Sequence, residues 1–436
     1  MNKLLLATLV LGTAGGTAQA VSLYEKDDLS VNMEIESMIG VFSTREDYLA
    51  DGGKNWQEAY FKASVIGEAT VGPGLRLRGG VGGITVGTWG DGDAGGYTRG
   101  DERRTRLENA WVGLKTADGL IDFSAGRQTY QLGDGFLIAG DAISLGRGPL
   151  LAGAQVNRGG AYYLAGQKSF DNTAILRLNS AGEWRGELFW LKSDNPYHQN
   201  TELAGVNVEH VDARATLGVS YLNILDVSQD RGLGLWNQRE GMNVFSVRGQ
   251  GNAGVENLFL SFEYVAERGG DWEVKNHAHA WTVEGGWTFS ALPWKPSLNY
   301  RHAHFSADDP ETRRNEAFDP LFFGLSRGFG TWFQGEIASN YAGPANSGNR
   351  VDRLEAAIQP REDLSVTLQY WDIRHVAHAP DLDGREIDLF AMWQINDYVT
   401  FIPLAGYYKP RGDDVIAAQG NRHGNFFAKA IVLFSY

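Results

Sequence analysis

Apolar and polar residues alternate along almost the whole chain from residue 29 onward, in segments of about ten residues. In one segment, Leu260, Phe262 and Tyr264 alternate with Ser261 and Glu263. A period of two places the apolar side chains on one face of a strand and the polar side chains on the other. Strands of this length can cross a hydrocarbon core when tilted. The sequence therefore predicts many amphipathic strands, in a soluble sandwich or in a membrane barrel.

The lengths of the links between these segments distinguish the two architectures. Short links alternate regularly with long ones, and the short ones include 70–74, 116–119, 179–183 and 210–213. The long links include 43–55, 89–102, 129–172, 193–201, 226–241 and 267–276. Outer-membrane barrels have short periplasmic turns and long extracellular loops, which a sandwich lacks. We therefore expect an all-β, transmembrane antiparallel β-barrel of the outer-membrane type.

The same alternation of short and long links gives the number of strands. The predicted strands are 29–42, 56–69, 74–88, 103–115, 119–128, 173–179, 184–192, 201–210, 214–225, 242–250, 257–266, 277–289, 297–305, 350–358, 364–373, 385–394, 399–407 and 425–436. The segment Thr331–Ser339 also alternates but breaks the order of links, so 306–349 is interpreted as one large outer loop. The prediction is a single barrel of about 18 strands over 21–436, with both ends periplasmic.

The first twenty residues have a different character. Lys3 precedes an apolar stretch over 4–12, and an A-x-A cleavage pattern ends at Ala20. This combination predicts a secretory signal peptide over 1–20, cleaved after Ala20, so that the mature chain begins at Val21. No apolar run of about 18 residues follows, as a transmembrane helix would require.

The last strand carries a second localisation signal. Phe426, Val432, Phe434 and Tyr436 share one face, and the final residue is aromatic. Barrel-assembly machinery recognises an amphipathic C-terminal strand that ends in an aromatic residue, so we expect this machinery as a partner. With the signal peptide, the strand predicts a location in the outer membrane of a Gram-negative bacterium, surrounded by outer-membrane lipid.

Composition and motifs exclude several functions. The chain has no cysteine, so it is not a disulfide-stapled scaffold, and its net charge of −14 argues against a nucleic-acid partner. No G-x-S-x-G or comparable nucleophile setting occurs, so we expect no enzyme. His302 with His304, and Asp413 with Asp414, lack the further ligands of a metal site, so we expect no metal or other cofactor.

Arginines on the inward strand faces are the candidate functional residues. Those assigned to a track for the solute are Arg76, Arg78, Arg177, Arg185, Arg248, Arg301 and Arg353. A planar guanidinium binds carboxylates and phosphates through two hydrogen bonds. Each arginine could instead pair with an inward acid of a neighbouring strand. The sequence leaves this choice open because the cross-strand register is unknown.

The longest link, 129–172, is a second candidate. Its part 131–141 contains Asp134, Phe136 and Asp141 and is too apolar to lie wholly in water. We expect it to fold into the barrel mouth and act as a constriction loop. The alternative is packing over the rim with no gating role.

Most tryptophans lie near the ends of the predicted strands. They are Trp56, Trp111, Trp184, Trp190, Trp272, Trp281, Trp287, Trp294, Trp371 and Trp393. Aromatic girdles at the level of the lipid headgroups occupy such positions, so we expect most of these residues in the girdles.

Several short strings resemble alginate-export-type porins. Residues 124–128 with 133–135, 315–322 with 331–337, and 393–396 with 408–410 are similar to that family's loop entry, large outer loop and closing hairpin, respectively. The resemblance implies an 18-stranded barrel lined by arginines and acidic residues. It also implies outward transport of an acidic polysaccharide, with loops that obstruct the pore.

We therefore expect a passive outer-membrane porin for an anionic or polar solute, with an acidic polysaccharide such as alginate as one candidate. Physical arguments leave export and uptake equally open, and the resemblance favours export. One alternative is an uptake porin for small organic anions. Another is a plugged structural or receptor barrel that binds ligands at its outer surface.

Overall fold

The computed structural model describes residues 21–26, 28–49, 52–230, 232–324, 335–341 and 347–436. The expected signal peptide over 1–20 lies outside the described residues. The rejected strand candidate Thr331–Ser339 lies partly outside them, and its described part forms a turn and the start of a helix.

The described residues form 22 strands and two short α-helices. The strands are β1 Val21–Lys26, β2 Leu29–Thr44, β3 Lys54–Gly72, β4 Leu75–Gly90, β5 Arg103–Thr116, β6 Ile121–Thr129, β7 Gln131–Leu132, β8 Ile138–Ala139, β9 Ser169–Leu178, β10 Trp184–Lys192, β11 Glu202–Val211, β12 Ala215–Asp226, β13 Met242–Gly251, β14 Leu258–Gly269, β15 Lys275–Thr288, β16 Ser297–Phe305, β17 Arg314–Asn315, β18 Asn349–Arg361, β19 Leu364–His375, β20 Gly384–Asn396, β21 Val399–Pro410 and β22 Asn425–Ser435. The helices are α1 Ala338–Tyr341 and α2 Asp413–Gln419. Neither described helix has the length and apolar character that crossing a membrane requires.

Eighteen strands form one closed antiparallel barrel, as the sequence predicts. The wall consists of β2–β6, β9–β16 and β18–β22. Each wall strand pairs with the next in sequence, and β22 pairs with β2 to close the wall. The expected fold class and strand number are therefore confirmed.

Short turns lie at one end of the barrel and long loops at the other. Residues 73–74 join β3 to β4, and 397–398 join β20 to β21, whereas the longest loops span 130–168 and 306–348. The first is shorter than the predicted 129–172, because β9 begins at Ser169, which pairs with the last residue of β6. Short turns are periplasmic in barrels of this type, so both ends of the wall lie at the periplasmic end.

The outward face of the wall is apolar across its middle. Val219 and Leu368 are 59% and 48% exposed, whereas their neighbours Ser220 and Gln369 point inward and are buried. This arrangement suits a barrel whose outer surface is covered by hydrocarbon chains. A lysine or arginine on the lipid face at the membrane midplane would cost about 2–4 kcal/mol.

The barrel closes along one edge of β2, which two strands share. Tyr436 exchanges two backbone hydrogen bonds of 2.8 Å with Ile35, at the end of β22. Further along the same edge, β1 begins with Val21 opposite Met33 and runs to the periplasmic end of β2. β1 therefore continues the line of β22.

The expectation that most tryptophans lie in the girdles is wrong for Trp56 and Trp371, which are fully buried inside the barrel, and for Trp111, which faces inward beneath Arg78. Trp371 donates a hydrogen bond of 3.1 Å from Nε1 to Asp388, and Trp56 stacks on Phe42. Both occupy inward positions at the loop end of their strands. Position near a strand end therefore did not identify the face of these two residues.

Candidate channel lining

The tip of the 130–168 loop folds inside the barrel. Phe136, Leu137 and Ile138 are at most 2% exposed and belong to a buried cluster with inward residues of β9–β16. β7 and β8 form a small hairpin here, and Asp134 lies half-buried in its turn. The apolar tip lies against the inner wall, as expected, and its role as a constriction stays a prediction.

The 306–348 loop covers this hairpin from the extracellular end. The amide of Ala139 donates to the Phe322 carbonyl at 2.8 Å, and the amide of Phe322 donates to the Leu137 carbonyl at 3.0 Å. Arg239 binds both carboxylate oxygens of Asp319 at 2.6 and 2.7 Å. The described residues 318–324 and the hairpin of the 130–168 loop therefore pack together inside the outer half of the barrel, and Arg239 of the β12–β13 loop binds to them.

A buried carboxylate holds the described residues around α1 against the opposite wall. Glu386 of β20 accepts the backbone amides of Glu336, Ile337 and Ala338 at 2.7–2.9 Å. Lys429 of β22 donates to the Glu336 carboxylate at 2.5 Å. Burial raises the pKa of Glu336, and the ammonium group of Lys429 offsets part of this rise.

Three of the predicted solute-binding arginines lie near the periplasmic turns and pair with acids. Arg76 binds Glu68 at 2.8 Å, and Arg177 binds Glu187 at 2.9 Å. Arg78 binds Asp122 and lies over the ring of Trp111. The side chain of Arg76 is 50% exposed, that of Arg177 is 36% exposed and that of Arg78 is 21% exposed. Solvent therefore reaches all three guanidinium groups.

Two further predicted arginines, Arg185 and Arg248, flank Glu209. Arg248 binds Glu209 at 2.5 Å, and its guanidinium also donates to Ser220 and Asn207 at 2.7 and 2.8 Å. Its side chain is only 8% exposed. Arg185 lies across from Glu209 in the register and donates to the Gly182 carbonyl at 3.0 Å.

Arg301 and Arg353 lie on neighbouring strands beside a buried ring. Their guanidinium carbons are 5.4 and 5.8 Å from the centroid of Trp371, and both side chains are buried. Arg353 donates to Glu284 at 2.9 Å and to Asn299 at 2.7 Å. These contacts place both side chains on the inner face of the wall, and their role in binding the solute stays a prediction.

The third residue of the predicted constriction loop, Asp141, anchors that loop. It is fully buried and accepts hydrogen bonds from Ser193 and Asn195 at 2.8 and 2.9 Å. Arg158 of the same loop lies 3.3 Å away. Burial raises the pKa of Asp141, and Arg158 lowers it in part. Asp141 thus connects the 130–168 loop to the loop that follows β10.

The sequence did not identify three arginines that converge on Asp194. Arg127 donates to Asp194 at 2.9 Å, Arg158 lies 3.4 Å from it, and Arg106 also pairs with it. Burial raises the pKa of Asp194, but the three guanidinium groups lower it further, and the net direction is down. The Asp194 side chain is 27% exposed, so water reaches this cluster.

These groups form two cationic clusters, one near each end of the inner wall along β4, β5, β6 and β9, and we call the two clusters together the cationic sector. At the outer end it contains Arg104, Arg106, Arg127 and Arg158, and at the periplasmic end Arg76, Arg78, Lys115 and Arg177. Arg104 is exposed and donates to the Asn157 carbonyl at 2.7 Å. The four outer guanidinium groups face three carboxylates, those of Asp141, Asp171 and Asp194. The cationic sector therefore has an outer and a periplasmic cluster, and the inward positions of β5 between them include Glu108 and Trp111.

One group of described residues has the spacing of a metal site. His375, Asp381 and Asp383 offer ligand atoms that all lie within 4.8 Å of one another. The His375 Nδ1 is 3.1 Å from Asp381 and 2.8 Å from Asp383, and the His375 amide also donates to Asp383. These hydrogen bonds hold the two ends of the loop between β19 and β20 together, which explains why the three residues lie so close.

Comparison with known proteins identifies a family. The sequence profile of the family described as alginate export matches residues 88–386 of this chain. No curated protein matches the sequence.

Solved porin structures share the fold. OccAB2 of Acinetobacter baumannii has a TM-score of 0.60 and 9% identity, with 93% of this chain and 98% of that chain covered. OpdK of Pseudomonas aeruginosa, solved with vanillate, has a TM-score of 0.58 and 10% identity over 93% and 98%. OccK7 (OpdD) of the same species has a TM-score of 0.56 and 12% identity over 94% and 99%. At such identities the similarity shows the fold alone.

Proposed function

This chain belongs to the alginate export family, and we propose that it is a passive outer-membrane channel for an anionic solute, with an acidic polysaccharide such as alginate as the first candidate. The family and the porin fold establish that the protein is an outer-membrane porin channel. The proposal assigns the protein no catalytic role and no cofactor. The family description favours export, which the charges of the lumen alone do not decide.

The cationic sector is the observation that supports an anionic solute. At its outer end, four guanidinium groups face three carboxylates, and the exposed Arg104 donates to the Asn157 carbonyl and not to an acid. A uronate carboxylate would bind such groups through two parallel hydrogen bonds. The chain has a net charge of −14, so the cationic sector is a local excess of positive charge in an acidic protein. Attraction of an anionic solute would explain this excess.

Conductance of the purified barrel in a planar bilayer tests the proposal. We expect small, anion-selective channels that a uronate oligomer blocks, because the sector offers the oligomer cations at both ends of the lumen. Arg78→Glu at the periplasmic end and Arg106→Gln at the outer end should each weaken the block. Arg361→Gln is the matched control, since Arg361 pairs with Asp363 in an exposed turn. Cation selectivity, or block that these variants leave unchanged, would refute the polyanion substrate.

Uptake of small organic anions is a second candidate. One similar structure was solved with vanillate, a small aromatic carboxylate. The described parts of the 130–168 and 306–348 loops pack together inside the outer half of this barrel, and this packing favours a small solute over a polymer. Block by benzoate-like carboxylates without block by uronate oligomers would favour this alternative.

A plugged receptor barrel is the third candidate, and the one-to-one pairing of several inward arginines supports it. It predicts a barrel without conductance that binds ligands at the extracellular loops. A silent bilayer, with correctly folded protein, would replace the channel proposal with this one.

Localisation follows the same proposal. We propose that residues 1–20 are removed after export and that the assembly machinery recognises the last strand through Phe434 and Tyr436. The outward direction of Phe426, Val432 and Phe434 supports this recognition, because the strand offers one apolar face.

A further inference from the structure

The outward face of the wall changes from apolar to charged at one level of β20. Its outward positions run from Trp393 through Leu389 and Ile387 to Arg385, which is exposed. At about 3.3 Å per residue and a tilt near 40°, the stretch from Ile395 to Ile387 rises about 20 Å. The apolar band of such barrels is about 25 Å tall. Arg385 therefore lies at the extracellular boundary of the band.

Neighbouring strands carry cations in the register row of Arg385 and in the next row toward the extracellular end. The register places Arg385 beside Lys409 and Asp372, and Arg350 beside Arg374. The cationic patch, as we define it, consists of Arg350, Arg374, Arg385, Lys409 and Arg411, together with the carboxylates of Asp352, Asp372 and, at its outer edge, Asp383. One row closer to the membrane centre, the outward residues are Tyr300, Leu354, Tyr370, Ile387 and Tyr407. Tyrosines at that row match the interfacial girdle of a membrane barrel.

The carboxylates of the patch do not neutralise its cations. Asp372 is the shared partner of Arg374 at 2.6 Å, Arg385 at 3.4 Å and Arg411 at 3.9 Å. The three arginine side chains are 48–49% exposed, whereas that of Asp372 is 12% exposed. Asp352 already accepts a hydrogen bond of 2.5 Å from the Tyr300 hydroxyl. The Nδ1 of His302 lies 2.8 Å from the same carboxylate.

Like charges also face each other across strands. Arg350 pairs with Arg374, and Arg385 pairs with Lys409, in the antiparallel register. Cations placed directly opposite destabilise a sheet unless an anion lies between them. The described strands β10 to β13, on another side of the barrel, pair differently near their extracellular ends. There Lys192 pairs with Glu202 at 2.9 Å, and the next outward positions include Asn223 and Asn243.

We propose that the cationic patch binds the phosphate groups of a phosphorylated glycolipid in the outer leaflet, that is, a lipid A headgroup. Its level at the top of the apolar band, its outward direction and its excess of guanidinium groups fit a membrane-bound anion. Arginine forks bind phosphate oxygens through two hydrogen bonds. The proposal depends on the barrel fold in the outer membrane and is independent of what the lumen transports.

Native mass spectrometry of the detergent-solubilised barrel, titrated with lipid A, tests the proposal. We expect lipid adducts with bisphosphorylated lipid A and far fewer with the dephosphorylated form. The triple variant Arg350→Gln/Arg374→Gln/Arg385→Gln should bind on the order of a hundredfold more weakly, from three lost contacts near a charged lipid surface. Lys192→Gln is the matched control, because it removes an outward cation that already has an acidic partner.

Several outcomes would overturn the proposal. Equal binding of dephosphorylated lipid A would show that acyl chains alone carry the affinity. Unchanged binding by the triple variant, with its heat-modifiable gel mobility intact, would place the lipid elsewhere. Displacement of lipid A by a soluble uronate oligomer would assign the patch to the polysaccharide instead. If the triple variant lacks the folded band on the gel, the single variant Arg385→Gln replaces it in the test. Arg385→Gln should weaken lipid A binding by about fivefold, and unchanged binding would contradict the proposal.

Discussion

At the scale of single residues, Asp194 controls the charge of the outer lumen. Asp194→Asn leaves Arg106, Arg127 and Arg158 without their shared carboxylate, so we expect stronger anion selectivity and a destabilisation of about 1–3 kcal/mol. The reversal potential in a KCl gradient measures the selectivity. The control Asp363→Asn changes a turn at the periplasmic surface and should leave the reversal potential unaltered. An unaltered potential in Asp194→Asn would exclude this cluster from the conduction path.

The lowered pKa of Asp194 also predicts how this effect depends on pH. Because the folded pKa lies below the unfolded value of about 4, the stabilisation by this carboxylate is fully present above that value. It is lost as the pH falls through the folded pKa. Anion selectivity of the wild type should therefore be steady from neutral pH to about pH 4 and rise below it.

Asp93, in an extracellular loop, predicts the opposite pH dependence. It is fully buried and accepts the Thr98 hydroxyl at 2.5 Å, and burial raises its pKa to about 6. Since the folded state holds the proton more tightly than the unfolded state, stability rises as the pH falls through about 6, by at most about 3 kcal/mol. Hydrogen exchange of the 91–102 amides should be slower at pH 5 than at pH 7.5, after correction for intrinsic rates. Asp93→Asn should remove most of this difference, and a difference that persists would assign it to another group.

The sequence located part of the candidate site at this scale. Alternation placed Arg248 and Arg353 on the inner face, where the structure has them. It could not show their partners, because pairing depends on the register between strands. Asp194 and Arg158 lie in loops without periodicity, so their convergence becomes visible only when the loops have a fold.

At the scale of elements, the tip of the 130–168 loop is the feature to perturb. Phe136 packs against Phe305 and Phe318 with ring centroids 5.9 and 6.2 Å apart. Phe136→Ala should cost about 3–5 kcal/mol of local packing, release the tip from the wall, and raise single-channel conductance. Leu150→Ala in the same loop is the control, because Leu150 is 50% exposed. Equal conductance in both variants would show that the tip does not obstruct the channel.

Strands were easier to predict than loops, for a physical reason. The lipid and the lumen impose opposite polarity on alternate residues, which marks every wall strand in the sequence. A loop that packs on other loops has no such period. The same limit explains Trp56 and Trp371, whose inward direction follows from register and from packing inside the barrel.

At the scale of the whole molecule, processing of the N-terminus is a direct test of export. We expect the protein from outer-membrane fractions to lack residues 1–20 and to begin at Val21, the first residue of β1. Intact-mass measurement checks this. A replacement of Ala18 and Ala20 by bulky residues should leave the precursor uncleaved, because signal peptidase requires small residues there. A mature mass that includes residues 1–20 would contradict the predicted cleavage.

The shared edge of β2 has a consequence for the order of the chain. Tyr436 lies opposite Ile35 and Val21 opposite Met33, so the end of β22 and the start of β1 meet almost head to tail, with one residue of β2 between them. A linker of a few residues could join them with little strain. A circular permutant that begins in the extracellular loop between β10 and β11 would then retain every strand pairing of the wall. The fold of the barrel therefore depends on which strands pair around the wall. The position of the two termini in that wall affects secretion and assembly.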